Sequence, residues 1–339
     1  MVIKLNKIGV WALLVAFIGL GGWLLPTSTI DQTDAKLVTI AVSPLSFASY
    51  TIFIAQERGY FAAEGLTVRL EHHPHGLSAM QALQAGEVDY ASSSETPLIR
   101  HILKGAEFRI LASMITANHH VGIVARRDRG ITRSADLVGK RIGVTQGSNG
   151  AYYLDLCLLM HGLSSSSVTR VHLKPTEMKS ALVAGEIDAA SVWNPVKYAL
   201  IKELNEGAFS TDLKGLYAPH FILSVHARHL QRNPDQVEAM MKAMLRAAEY
   251  VKEHRDQANV IAARYMKSTP ELLHSLSATY DFTLKLDQSL ISILEQQAHW
   301  IGNGLKVEKA QPIPNFLEYI AHQPLVSVAP DRVTVFGGH

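Results

Sequence analysis

The chain has 339 residues, 47% hydrophobic and 18% charged, and its 32 Lys and Arg against 30 Asp and Glu leave a formal charge of +2. That length fits about two domains, and near-neutrality without a basic run excludes a nucleic-acid groove. The single cysteine, Cys157, excludes an intrachain disulfide, a cysteine-based zinc site and a CxxC redox pair.

At the N-terminus, Lys4 and Lys7 precede an uncharged run over residues 8–25, interrupted by Gly19, Gly21 and Gly22 and closed by Pro26. A basic segment before an apolar stretch is the pattern of an export signal. The run is also just long enough to cross a bilayer as a helix. Residues 1–34 therefore read as a signal peptide, or as an inner-membrane anchor if cleavage does not occur. The lysines would stay in the cytoplasm and everything after residue 30 outside it. No Cys lies near the end of the run, which argues against a lipidated anchor.

Residues 38–42 predict a β-branched strand, followed by Ser43-Pro44 and a helical stretch to Arg58. Residues 66–70 alternate as a second strand. A helix then ends in ALQAGEVDYAS (82–92), which returns as ALVAGEIDAAS (181–191) with eight of eleven positions identical. Each copy reads as a helix end, a Gly beyond it, and a short strand. The second copy has the same preamble: a strand over 141–145, Gln146-Gly147-Ser148, a helix through Met160, and a strand over 168–173. Extended segments at 121–125, with a turn at Asp128-Arg129-Gly130, and at 221–225 would be two hinge crossings. Helices are expected over 235–254, 257–267 and 269–281, and a last one over 315–322 before a loose end.

Two strand–helix–strand–helix–strand units imply two α/β lobes, each a mostly parallel sheet with covering helices. The implied parts are lobe 1 over 35–124, lobe 2 over 125–220, and a return to lobe 1 with C-terminal helices over 221–339. Ligands in such sheets bind beyond the carboxyl ends of the strands. Four loops fall there. They contribute Ser43, Ser46 and Tyr50; Ser93, Ser94, Glu95 and Thr96; Ser148, Asn149 and Gly150; and Trp193 and Asn194. Free N–H groups at helix starts beside Gly and Ser hold anions without a formal positive charge. Glu95 would instead hold an ammonium or a ring N–H. Each loop alone also reads as ordinary capping, and Trp193 reads equally as core.

The 16 histidines include His72-His73-Pro74-His75 and His119-His120, whose irregular spacing reads as solvated loops rather than metal ligands. No G-x-S-x-G, P-loop or G-x-G-x-x-G selects a catalytic group. Neither an enzyme nor a cofactor is indicated.

Gly59-Tyr60-Phe61 through Glu64-Gly65-Leu66, Asp136-Leu137-Val138-Gly139-Lys140-Arg141-Ile142-Gly143-Val144, Lys174-Pro175-Thr176-Glu177-Met178 through Asp188, and Val192-Trp193-Asn194-Pro195 follow in order. This series resembles the substrate-binding proteins of nitrate, sulfonate and taurine type ABC importers. The resemblance spans roughly residues 37 to 335. It implies a two-lobed type II periplasmic binding fold that captures a small organic solute by hinge closure, as a monomer, without covalent chemistry. Its partners would be the solute and the permease and ATPase subunits of the importer, with no nucleic acid. The four loops above would line the pocket. Sulfonate-binding members often carry His soon after the Gly-Ser pair, where this chain has Ala151. A membrane-tethered sensor, or a pyrimidine-precursor binding protein or enzyme on the same fold, are the alternatives; Cys157 in mid-helix counts against the enzyme.

Overall fold

In the strand Leu37–Val42 (β1) every residue but the first is buried, the pattern of a strand covered on both faces. The structure, a computed structural model, describes residues 37–211, 215, 217–304 and 313–335. The expected membrane-length run over residues 8–25 lies outside them; among the described residues, no helix is long and apolar enough to cross a membrane.

Chain order continues with Thr67–His72 (β2), Tyr90–Ser94 (β3), Phe108–Ala117 (β4), Val121–Arg126 (β5) and Arg141–Val144 (β6). Then come Thr169–His172 (β7), Ala189–Trp193 (β8), Ala208–Thr211 (β9), His220–His226 (β10) and Tyr280–Asp281 (β11). One sheet has the order β11-β4-β10-β3-β1-β2 and the other β7-β6-β8-β5-β9. The runs β2-β1-β3 and β7-β6-β8 are parallel. Each is followed by an antiparallel neighbour, β10 beside β3 and β5 beside β8. Each sheet has its own apolar core. The chain is thus an α/β protein of two lobes.

The repeat explains why the halves fold alike. The helices Gly76–Ala85 and Met178–Ala184 each end at a left-handed glycine, Gly86 at φ +72° and Gly185 at φ +74°. The aspartate three residues on turns back to the first strand of its own half. Asp89 Oδ2 accepts the Thr39 N–H at 2.8 Å, and Asp188 Oδ2 accepts the Arg141 N–H at 2.9 Å. Each carboxylate satisfies a strand-end donor that the ladder leaves open, which fixes where the next strand begins.

β5 pairs wholly within the second sheet, so the first crossing is the segment 118–120 and the expected boundary at 124/125 falls inside a strand. The second crossing runs between β9 and β10. Two expected helices are shorter than their patterns. The one over 269–281 stops at Ser277, because Tyr280 pairs with Ala117 and buries its ring against Phe47 at 4.2 Å. Over 315–322 there is only a 3-10 turn, Phe316–Tyr319, since Ile320 bridges to Ile110 of β4; a short helix, Gln323–Val326, follows. β4, β9 and the helix Gln288–Gly304 were not expected.

Candidate functional site

The loops after β1, β2, β3, β6 and β8 meet where the two sheets face each other. They enclose a cavity of about 20 Å³, room for about one water molecule. Ser46, Ser94, Ser148, Asn149 and Trp193 line it, as the sequence implied. No Lys, Arg, Asp or Glu is in the lining.

What faces the cavity instead is helix starts. Gly76–Ala85 and Asn149–Met160 place their first residues in the wall, and Glu95–Ile102 contributes its cap Ser94 and Pro97. The opening N–H groups of a helix have no partner inside it, and the aligned peptide dipoles add partial positive charge there. Ser148 caps its helix by accepting the Ala151 N–H at 3.4 Å while donating to the Thr145 carbonyl at 2.7 Å. Ser94 occupies the same position before Glu95 and makes no such side-chain bond. Two helix starts and the Ser94 cap thus converge on a lining that carries no charged side chain, an environment that suits an anion.

His120 strengthens this reading and corrects an expectation. It is 1% exposed, not a solvated loop residue. Burial holds its imidazole well below the ordinary histidine range, with nearby Lys197 acting in the same direction, so the ring is neutral. Nδ1 lies 2.6 Å from the Tyr280 hydroxyl, while Nε2 is buried and has no partner among the described residues. With the tyrosine O–H donating to Nδ1, the ring proton sits on Nε2, a free donor on a residue that lines the cavity. His75 is likewise built in: it lines the cavity, and its Nδ1 accepts the Ser78 N–H at 3.3 Å to cap the helix Gly76–Ala85. The signal for His75 was its place after β2, another strand carboxyl end; for His120 it was the crossing segment itself.

Trp193 lines the cavity and also joins the lobes, its Nε1 donating to the Leu45 carbonyl at 3.0 Å. The Asn194–Pro195 turn grips the first crossing: Asn194 N–H donates to the His120 carbonyl at 2.9 Å, and Asn194 Nδ2 to that of His119 at 3.3 Å.

Seven of the expected residues lie outside the cavity wall. Ser43 donates its N–H to Ser49 Oγ, and Tyr50 donates its hydroxyl to Asn259 Oδ1 at 2.8 Å. Ser93 donates to the Ser94 carbonyl. Gly150 is packed under β8, where an added Cβ would stand 2.7 Å from the Ser191 carbonyl oxygen. Asn194 holds the crossing.

Glu95 and Thr96 form a separate buried network. The Glu95 carboxylate accepts from Tyr217 Oη at 2.5 Å, Gln297 Nε2 at 2.7 Å and the His220 N–H at 3.2 Å. Thr96 donates to Gln297 Oε1 at 2.5 Å. Burial pushes the Glu95 carboxyl up to about 7 against the pull of these donors. Its acceptor capacity is directed at the second crossing and at the helix Gln288–Gly304, so no ammonium partner is needed to account for it. Cys157 is buried in the helix Asn149–Met160, where burial raises its thiol pKa and keeps it unreactive.

A sequence model described as NMT1/THI5 like matches residues 46–258. The chain belongs to the NMT1/THI5-like family. The match opens at Ser46 and takes in all the cavity-lining residues. Among proteins similar to this family member, the "Putative aliphatic sulfonates-binding protein" of Bacillus subtilis (strain 168) is 30% identical over 214 residues, 61% of this chain and 64% of that one. The taurine-binding periplasmic protein of Escherichia coli (strain K12) is 27% identical over 218 residues, 64% and 67% of the two chains. The chain thus spans about two thirds of the length of these relatives.

Among solved structures, the alkanesulfonate-binding protein SsuA from Xanthomonas axonopodis pv. citri, bound to MOPS, superposes with a TM-score of 0.70 at 19% identity over 83% of this chain and 95% of that one. The desulfurization enzyme DSZB superposes with a TM-score of 0.62 at 18% identity over 86% and 98%. The fold of this family member is that of the two-lobed type II periplasmic binding proteins. The same fold also carries an enzyme, so the function has to be argued from the site.

Proposed function

We propose that the protein is the extracytoplasmic solute-binding component of an ABC importer and that its solute is a small organic anion of the sulfonate or taurine class. One observation carries the reading: two helix starts, the Ser94 cap and His120, whose Nε2 has no partner among the described residues, meet around a cavity with no charged side chain in its lining. Such donors suit an oxyanion that must later be released, because they supply hydrogen bonds and dipole without a fixed ion pair. Ala151 puts no imidazole at the Gly-Ser helix start; His75 and His120 bring two from elsewhere in the wall.

The mechanism is closure about the two crossings. A cavity of about 20 Å³ is too small to admit a solute from outside, so capture requires the lobes to part and the Trp193–Leu45 bond to break. A solute that touches both lobes favours the closed form by its differential affinity for it. The closed form is then what a permease and its ATPase would receive. Residues 1–34 would export the chain or hold it at the membrane.

Calorimetric titration with ethanesulfonate, taurine and nitrate tests this. The expected result is saturable binding of at least one of the three. Ser148→Ala and Trp193→Ala should each weaken it about tenfold, the equivalent of about 1.4 kcal/mol, while the protein still folds, Trp193→Ala at a lowered midpoint because the indole is buried. Normal binding by both variants would overturn the assigned pocket, and turnover of a bound compound would overturn a pure binding role.

A further inference from the structure

A second cavity, of about 270 Å³, opens on the other side of the loop that follows β6. The loop is its dividing wall. Thr145, Ser148 and Asn149 face the first cavity, while Gln146, Gly147 and Ala151 face the second, and no lining residue is shared.

Its charges do not cancel. Arg170 is paired with Asp155, which also accepts the Trp300 indole N–H at 3.0 Å. Arg100, from the helix Glu95–Ile102 of the first lobe, makes no hydrogen bond or ion pair among the described residues. It reaches across to the second lobe over Gly147, where an added Cβ would stand 2.9 Å from Arg100 Nε and 3.1 Å from its Cδ. Gly147 also has φ +69°, so the turn and the close approach both require glycine there. His172, on β7, lines the same space from the second lobe. A guanidinium laid on a glycine backbone, facing a half-polar cavity with an indole wall, is an arrangement for binding an oxyanion.

We propose that this cavity is a second anion site, in which Arg100 of one lobe and Gln146 and His172 of the other hold a sulfate-like or carboxylate group between them. Because its donors come from both lobes, an anion bound there straps the closed form. The site stands apart from the solute cavity, and its occupant is either a free inorganic oxyanion or the far end of a dianionic solute.

The test is a sulfate titration at constant ionic strength, followed through tryptophan emission in a Trp193→Phe background, with a parallel comparison of ethane-1,2-disulfonate and ethanesulfonate by calorimetry. Saturable sulfate binding in that background and with His120→Gln added to it, weakened at least tenfold by Arg100→Gln and less by Arg100→Lys, supports the site with a free anion as occupant. A tenfold advantage of the disulfonate that disappears in Arg100→Gln supports it with the solute's far end as occupant. If neither effect is seen, or if either persists in a folded Arg100→Gln and Arg100→Lys, the proposal is wrong. Loss of sulfate binding in His120→Gln alone would place the anion in the first cavity and also overturn it. Failure of sulfonate binding with the sulfate effect intact would instead count against the solute reading.

Discussion

Trp193 and Leu45 belong to different lobes, and the indole N–H of the first donates to the carbonyl of the second at 3.0 Å. Because the tryptophan also walls the cavity, one side chain both contacts the solute position and closes the lobes over it. Trp193→Phe keeps most of the ring and removes the donor. We expect solute binding about five- to tenfold weaker, matching a lost hydrogen bond of about 1 kcal/mol. Small-angle scattering without solute should show a larger radius of gyration than wild type, while the unfolding midpoint stays within about two degrees.

Glu95 makes stability fall as pH rises. Its folded pKa of about 7 lies above the ordinary 4.5, so between those values the folded protein keeps a proton that the unfolded chain has released. The contribution is fully present below about pH 4.5 and is lost as pH climbs through about 7, an effect of up to about 3 kcal/mol. The nearly isosteric Glu95→Gln should flatten that slope. Relative to wild type it should gain stability between pH 5 and 8 in urea titrations; a difference independent of pH would show that the carboxyl is ionised throughout.

Gly150 bears on the site through its lack of a side chain. Ser191 donates its hydroxyl to the Gly150 carbonyl at 2.7 Å, and its own carbonyl occupies the space a Cβ would need. Gly150→Ala should displace the helix start from β8. The expected cost is about 1–3 kcal/mol in urea unfolding, with weaker solute binding beyond what the stability loss explains.

The paired aspartates give a test of the repeat. Arg141 holds the Asp188 carboxyl below its ordinary pKa by a hydrogen bond that outweighs burial. For Asp89, burial opposes the charge and hydrogen bonds from His229 and Thr39 more than compensate. Both contributions are present above about pH 4 and fade as the pH falls through the depressed values. Asp89→Ala and Asp188→Ala should each cost about 1–3 kcal/mol at pH 7 and should add when combined, since they lie in separate sheets.

The repeat made the two-lobed architecture readable, because eight shared residues in eleven encode the same helix stop, left-handed glycine and strand start twice. It also pointed to loops that meet around the first cavity. It did not say which side chains turn inward, and that depends on tertiary partners far away in sequence. Tyr50 is drawn to Asn259 and Glu95 to Tyr217 and Gln297, and none of these pairings leaves a local mark. His120 was hidden for the same reason: it is buried against Phe221 and Tyr280, about 100 and 160 residues later. The helix Gln288–Gly304 leaves no such mark either, although its Gln297 joins the Glu95 network and its Trp300 lines the second cavity.

The interleaving of the chain sets an order of assembly. All five strands of the second sheet lie between residues 121 and 211, an unbroken stretch. The first sheet has β3 and β4 ready early, but they are neighbours only through β10, more than a hundred residues later. As the polypeptide emerges from its N-terminus, the second lobe can be completed while the first still has a gap at its centre. The edges of β3 and β4 therefore stay unpaired until residues 220–226 arrive. During that interval the young chain is open to mispairing with its neighbours.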